Sequence, residues 1–134
     1  MSRPTATAAA LAAIGLVLGG CGDAGTVKTD RPQVKLTLDE YRIVPQSLSI
    51  KAGRMKFIVR NTGRLTHNLV IQVPPKNPDE KAEPVNPTSR TDTMQPGQTA
   101  EPIKVTLAPG EYRLVCTIAN HDDLGQYGTL TVRP

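Results

Sequence analysis

Residues Ala108 to Val132 read APGEYRLVCTIANHDDLGQYGTLTV, and the organisation of the chain can be worked outward from them. After a Pro109-Gly110 turn, Tyr112, Leu114 and Cys116 recur at every second position. The loop Thr117 to Gln126 follows, and Leu130 and Val132 then restore the same rhythm. Strand side chains point alternately to the two faces of a sheet, so this period of two marks half-buried strands joined by a loop. The alternation places the Cys116 thiol on the inward face at a strand end, where a rigid scaffold can hold a loop-borne site.

The rhythm is repeated upstream. Val34, Leu36 and Leu38 face one way; Leu48 and Ile50 follow, then Met55, Phe57 and Val59 after an Ala52-Gly53 turn. Leu69, Ile71 and Val73 make another run, and Ile103, Val105 and Leu107 another. Seven or so short strands separated by Pro, Gly and Asn turns predict an all-β sandwich or barrel. Composition agrees, since 12 prolines, 11 glycines and no Trp in 134 residues suit strands and turns better than a helical bundle. The length supports one domain with its own core. The net charge is only +4, basic residues are scattered along the sequence, and one Phe with three Tyr offers little for bases to stack on. Nucleic acid is therefore not an expected partner.

Three segments stand outside the strand pattern. Arg3 and the apolar run Ala8 to Leu18, ending Leu18-Gly19-Gly20-Cys21, read as an export signal over residues 1–20. The run is too short for a membrane span, which needs ~20 apolar residues. Its ending resembles a bacterial lipoprotein box that would leave Cys21 as a lipidated first residue; the alternative is an ordinary secretory signal with a chance cysteine. Residues 21–33, with GDAGTVKTDRPQ after Cys21, read as a flexible tether reaching ~40 Å when extended, and 34–134 as the folded domain. The proline-rich stretch Pro74 to Gln98 has no sustained apolar pattern and reads as a surface excursion, with a short helical turn near Asp79 to Ala82.

The chain has two cysteines. With Cys21 lipidated, Cys116 has no partner in an oxidising compartment, and is a buried structural thiol, a reactive thiol or a metal ligand. His121 lies in the same loop after four intervening residues, near enough in sequence for thiolate and imidazole to face one ion. A soft thiolate, two imidazoles and a weak fourth ligand describe a blue-copper site. His67, which follows the Asn61-Thr62-Gly63 turn, is the other histidine of the chain and the sole candidate for the second imidazole.

Three blocks carry a family resemblance. They are Pro45 to Gly53 (PQSLSIKAG); Val59 to Val70, with Asn61-Thr62-Gly63 ahead of His67-Asn68; and Ala108 to Val132, with Cys-x4-His-x4-Gln. Together they resemble the cupredoxins, the family of plastocyanin, azurin, auracyanin and stellacyanin. The resemblance implies a Greek-key β-sandwich of about seven to eight strands and one type 1 copper ion held by His67, Cys116, His121 and Gln126. It places Asn68 and Thr117 where cupredoxins tie the ligand loops together by hydrogen bonds beside the thiolate. Many bacterial members have methionine where this chain has Gln126, so the loop is closer to stellacyanin, although Asp122 replaces the cysteine found there after the histidine.

The function expected on these grounds is a membrane-anchored one-electron carrier on the extracytoplasmic face of a bacterial membrane, in the periplasm or at the cell surface. It would be a monomer exchanging electrons with a redox donor and acceptor, and not an enzyme. Two histidines are too few for the additional copper cluster of a multicopper oxidase. The alternatives are a copper-buffering or copper-delivery module, and a metal-free sandwich serving interaction at the membrane.

Overall fold

The computed structural model describes residues 25–134, whose regular elements are all strands. The export segment and Cys21 lie outside the described residues. In chain order the strands are β1 (Val27–Thr29), β2 (Gln33–Asp39), β3 (Arg42–Val44), β4 (Ser47–Lys51), β5 (Gly53–Asn61), β6 (Val70–Val73), β7 (Glu83–Pro84), β8 (Ile103–Leu107), β9 (Gly110–Val115) and β10 (Tyr127–Arg133). They form a six-stranded sheet, β1-β4-β10-β9-β6-β7, and a four-stranded sheet, β3-β2-β5-β8. Both sheets are mixed, because β4 runs parallel to β1 and β10, and β2 runs parallel to β5.

The alternating positions meet between the sheets. Val34, Leu36 and Leu38 of β2, Met55, Phe57 and Val59 of β5, and Ile103, Val105 and Leu107 of β8 form one wall of the core. Leu48, Ile50, Leu114, Leu130 and Val132, with Leu69 and Ile71, form the other. Phe57, the only Phe in the sequence, is fully buried among them. The intervening residues Lys35, Arg54, Lys104 and Thr106 remain exposed. Ser49 breaks the apolar pattern of buried β4, and its hydroxyl accepts a 2.9 Å bond from the Arg133 guanidinium, so the burial leaves no orphaned polar group.

Three elements depart from the sequence reading. The stretch expected to be tether joins the sheet at Val27, where β1 pairs with β4. Arg133 fastens it further, donating to the Thr29 carbonyl at 3.2 Å and the Asp30 carboxylate at 2.5 Å. A three-residue edge strand is too short to show a period. The second departure is Asp79 to Ala82, which has a turn over Asn77–Glu80 in place of a helix, with the Glu80 carboxylate accepting from Lys76 N and Asn77 Nδ2.

The third concerns the second half of the long excursion. It returns as a wall rather than hanging off the surface: Arg90 bridges to Val70, Met94 to His67 and Thr99 to Arg60. Ser89, Thr91 and Met94 are buried there. This return also explains β6, where Val70 is buried while Val73, expected to point inward, is 43% exposed. Burial on β6 follows what lies over it as well as the pleat.

Candidate metal centre

At one end of the sandwich the turn after β5, the turn after β2 and the loop between β9 and β10 converge. Asn61 organises the first. It is fully buried, and its side-chain amide donates to the carbonyls of Leu65 at 2.7 Å and Met94 at 3.0 Å. Its Oδ1 accepts from Gly63 N at 2.9 Å, the local turn that asparagine favours two residues ahead of its partner. From the β2–β3 turn the Glu40 carboxylate accepts the backbone N–H groups of Arg64 and Leu65. Gly63 is required here by proximity: a Cβ at that position would lie 2.5 Å from Glu40 Oε1. The turn delivers His67 to a two-way backbone pairing with Met94, His67 N to Met94 O at 3.1 Å and Met94 N to His67 O at 2.7 Å.

The second ligand segment starts where β9 ends. Cys116 N donates to Gln126 O at 3.1 Å, which closes the loop at its base. Within it, His121 N bonds Ile118 O and Gln126 N bonds His121 O, both at 2.9 Å. Ala119 and Asn120 have φ of 47° and 56°; the left-handed region suits Asn and is strained for Ala. That reversal turns His121 back toward Cys116. Asn68 joins the two ligand segments, accepting from Thr117 N at 2.8 Å and donating to Thr117 Oγ1 at 2.9 Å.

The result is a triangle of donor atoms. Cys116 Sγ lies 3.9 Å from His67 Nδ1 and 3.7 Å from His121 Nδ1, and the two nitrogens are 3.2 Å apart. All three residues are buried, His67 and Cys116 completely and His121 to 7% exposure. One ion at ordinary N and S ligand distances of about 2.0 and 2.3 Å spans donors spaced in this way. Gln126, also fully buried, holds its amide by donating Nε2 to the carbonyls of Asp39 at 2.6 Å and Arg42 at 3.3 Å. Its Oε1 has no hydrogen-bond partner among the described residues. A buried carbonyl oxygen left in that state costs free energy unless something else coordinates it. The residues present therefore fit a soft, imidazole-accepting metal with a weak oxygen ligand.

Electrostatics favour ligation too. Burial, and then the charge of His121, hold His67 below its usual basicity, against the opposing influence of Glu40, Gln126 and Asp39. The imidazole is thus neutral near pH 7, with a lone pair free to bind metal. The Arg64 backbone N–H, reinforced by that of Leu65, holds the Glu40 carboxyl below the ordinary carboxylate range against the effect of burial.

His67, Cys116 and His121 are thus positioned together as a ligand site, with Gln126 beside His67 and the Asn68–Thr117 bridge alongside. Sequence reasoning missed Glu40, Tyr41 and the packing role of Met94. Tyr41 has φ of 60° and sets its ring edge-on to His121, centroids 5.4 Å apart. Asn61 was visible as part of a turn, but its bond to Met94 spans 33 positions and leaves no local signal.

Comparison with known proteins agrees with this fold. Residues 8–132 match the profile of the cupredoxin-like domain. No curated protein matches the chain in sequence. Among solved structures, the dithionite-reduced auracyanin of the photosynthetic bacterium Roseiflexus castenholzii is 23% identical, with a TM-score of 0.65 over 79% of this chain and 100% of its own. Auracyanin A of Chloroflexus aurantiacus, described as a "blue" copper protein, is 17% identical, with a TM-score of 0.60 over 81% of this chain and 100% of its own. Rusticyanin of Thiobacillus ferrooxidans is 19% identical, with a TM-score of 0.60 over 81% and 82%. At these identities the structural likeness speaks for the fold.

Proposed function

The chain belongs to the cupredoxin-like family, and we propose on that premise that it is a one-electron carrier built around a single type 1 copper ion. His67 Nδ1, Cys116 Sγ and His121 Nδ1 would hold the ion, with Gln126 Oε1 as the weak fourth ligand. The observation that carries this reading is the buried donor triangle, its three ligand atoms all within 4.8 Å of one another. Bound there, copper supplies a Cu(II)/Cu(I) couple whose potential depends on the axial ligand and the surroundings of the sulfur.

The chain's own residues supply the rest. Asn61, the Met94 backbone and the Asn68–Thr117 bridge tie the ligand segments together by bonds made within the protein. Ligands that need not move between oxidation states favour fast electron transfer. Burial of His67 and Cys116 keeps water off the thiolate, while His121 keeps a 7% sliver of exposure. Leu124, 58% exposed in the His121 loop, and Leu65, 40% exposed in the His67 turn, offer an apolar rim. Small contacts of this kind suit brief encounters with a redox donor and acceptor. The same burial disfavours metal delivery, for which an acceptor would have to reach the ligands.

The export segment and Cys21 support a lipid-anchored location on the extracytoplasmic face of a bacterial membrane. Two measurements test the proposal. Titration with Cu(II) should produce an intense visible thiolate-to-copper band saturating at one equivalent, lost in Cys116→Ser; protein that stays colourless removes the carrier reading. In expressing cells the protein should stay with membranes washed in high salt and Cys21→Ser should not; equal release of the two removes the anchor.

A further inference from the structure

Basic residues that are scattered in sequence are gathered by folding onto one surface. On the outer face of the β3-β2-β5-β8 sheet stand Lys35 of β2, Arg54, Lys56 and Arg60 of β5, and Lys104 of β8. Among the described residues none of these five has an ion-pair partner. The carboxylate of Asp39, on the same strand face, is taken by Arg42. Five uncompensated cations on one face exceed the +4 of the entire chain. Moreover, Lys56 pairs directly across the ladder with Lys104, an arrangement in which like charges destabilise a sheet. The two lysines, Arg54 and Pro32 surround a shallow depression of about 230 Å³.

We propose that this face docks on anionic phospholipid headgroups. A sheet surface with dispersed cations matches a plane of phosphates, each cation adding attraction near a negatively charged bilayer. A redox partner fits the face less well: Lys56 lies five positions along β5 from Asn61, which at ~3.3 Å per residue is roughly 17 Å from the ligand end. Position in the fold adds a second reason. β1, the first strand after the anchor, shares a groove with the edge of this sheet, lined by Val27, Thr29, Gln33, Lys35 and Val44. A lipid at Cys21 would therefore tether the molecule beside its basic face, within reach of the headgroup phosphates. The docked protein would lie on its side, with the His121 end facing along the membrane. The orientation rests on the lipid-anchored reading; the binding surface does not.

The test uses residues 21–134 with Cys21→Ser, which contain the entire core, Val34 to Val132, and can carry no lipid. Sedimentation with vesicles of phosphatidylcholine containing 30% phosphatidylglycerol should show binding at low salt that falls steeply with added NaCl. Lys56→Gln/Lys104→Gln should weaken it ~tenfold or more, whereas Lys76→Gln/Lys81→Gln, an equal change of net charge in the long loop, should bind like the parent. Absence of vesicle binding, equal binding to pure phosphatidylcholine, or equal weakening by the two double variants overturns the proposal. So does salt-sensitive retention on an acidic protein without vesicle binding, which assigns the face to a protein partner. Because the lipid is absent throughout, failure of the anchor and failure of the surface are separate results.

Discussion

Asn61→Ala is the substitution that best separates a preorganised site from one assembled by its metal. The native side chain makes three hydrogen bonds, to Leu65 O, Met94 O and from Gly63 N. At about 1 kcal/mol each their loss comes to about 3 kcal/mol. Two of the abandoned groups keep a partner, since Met94 O still accepts from His67 N and Gly63 N still reaches Leu38 O at 3.2 Å. Leu65 is exposed, so water can replace its lost bond. These compensations trim the sum, and the void left by a buried amide restores part of it, giving roughly 2–3 kcal/mol. For a domain of this size that is a fall of about 9–13 °C in Tm, measured on the apo-protein by circular dichroism.

Asn61→Asp adds a discriminating sign. It keeps an acceptor for Gly63 N but sets a carboxylate against the two carbonyls, so it should destabilise more than Ala at pH 7. The deficit should narrow as the pH is lowered and that carboxylate is protonated. An alanine variant within about 1 kcal/mol of the parent, or an aspartate variant more stable than the alanine one, would refute the view that Asn61 holds the His67 turn.

Gln126→Met exchanges a hard amide oxygen for a softer thioether and should raise the reduction potential of the copper protein by at least ~60 mV, a tenfold change for one electron. It also removes the bonds to Asp39 O and Arg42 O, so apo stability should fall by about 1–2 kcal/mol; a potential that is unchanged or lower denies Gln126 its axial role. Burial lowers the folded-state pKa of His67 beneath its ordinary 6.5, so the unfolded chain binds the proton more readily. The stabilisation is complete above pH ~6.5 and lost as the pH falls through the depressed value. The apo-protein Tm should therefore drop between pH 7.5 and 5, with a shallower slope in His67→Gln, and equal slopes count against the assignment. Lys56→Glu should replace a cross-strand repulsion by an attraction to Lys104, gaining a few tenths of a kcal/mol in urea titration while weakening vesicle binding.

Which parts were legible in the sequence follows from the range of the interactions. β2, β5, β8, β9 and β10 announce themselves because alternation over five or more residues repeats one physical condition, a face turned to the core. Cys116, His121 and Gln126 share a loop, and His67 was forced by the count of two histidines. What stayed hidden depends on partners distant in sequence. Glu40 accepts from Leu65, 25 positions away, and nothing in Glu40-Tyr41 distinguishes it from any polar turn. Met94 leaves no signal in the excursion's sequence because its pairing is with His67 and its contacts lie in the core. The basic face was invisible for the same reason: Lys56 and Lys104 are far apart until the β5–β8 ladder sets them opposite each other.

The supports around the ligands point to a common physical logic. Two imidazole nitrogens 3.2 Å apart beside a thiol, with a carboxamide oxygen that has no hydrogen-bond partner among the described residues, are an unfavourable group to bury. The left-handed Ala119 adds backbone strain of order 1–3 kcal/mol. A site with those costs would relax unless its surroundings over-determined it, and a network of bonds does so; His121 is held within its own loop, its N–H on Ile118 O and its carbonyl accepting from Gln126 N. Cys116 is fixed through Gln126 O, Gln126 through Asp39 O, His67 through Met94, and the Cys116 and His67 segments to each other through Asn68 and Thr117. The stability to bear this comes from the apolar layer between the sheets, which ends just beneath the site at Leu38, Val59 and Leu69. A carrier that must accept and release an electron without rearranging needs this division, a core that supplies free energy and a polar network that converts it into fixed ligand positions.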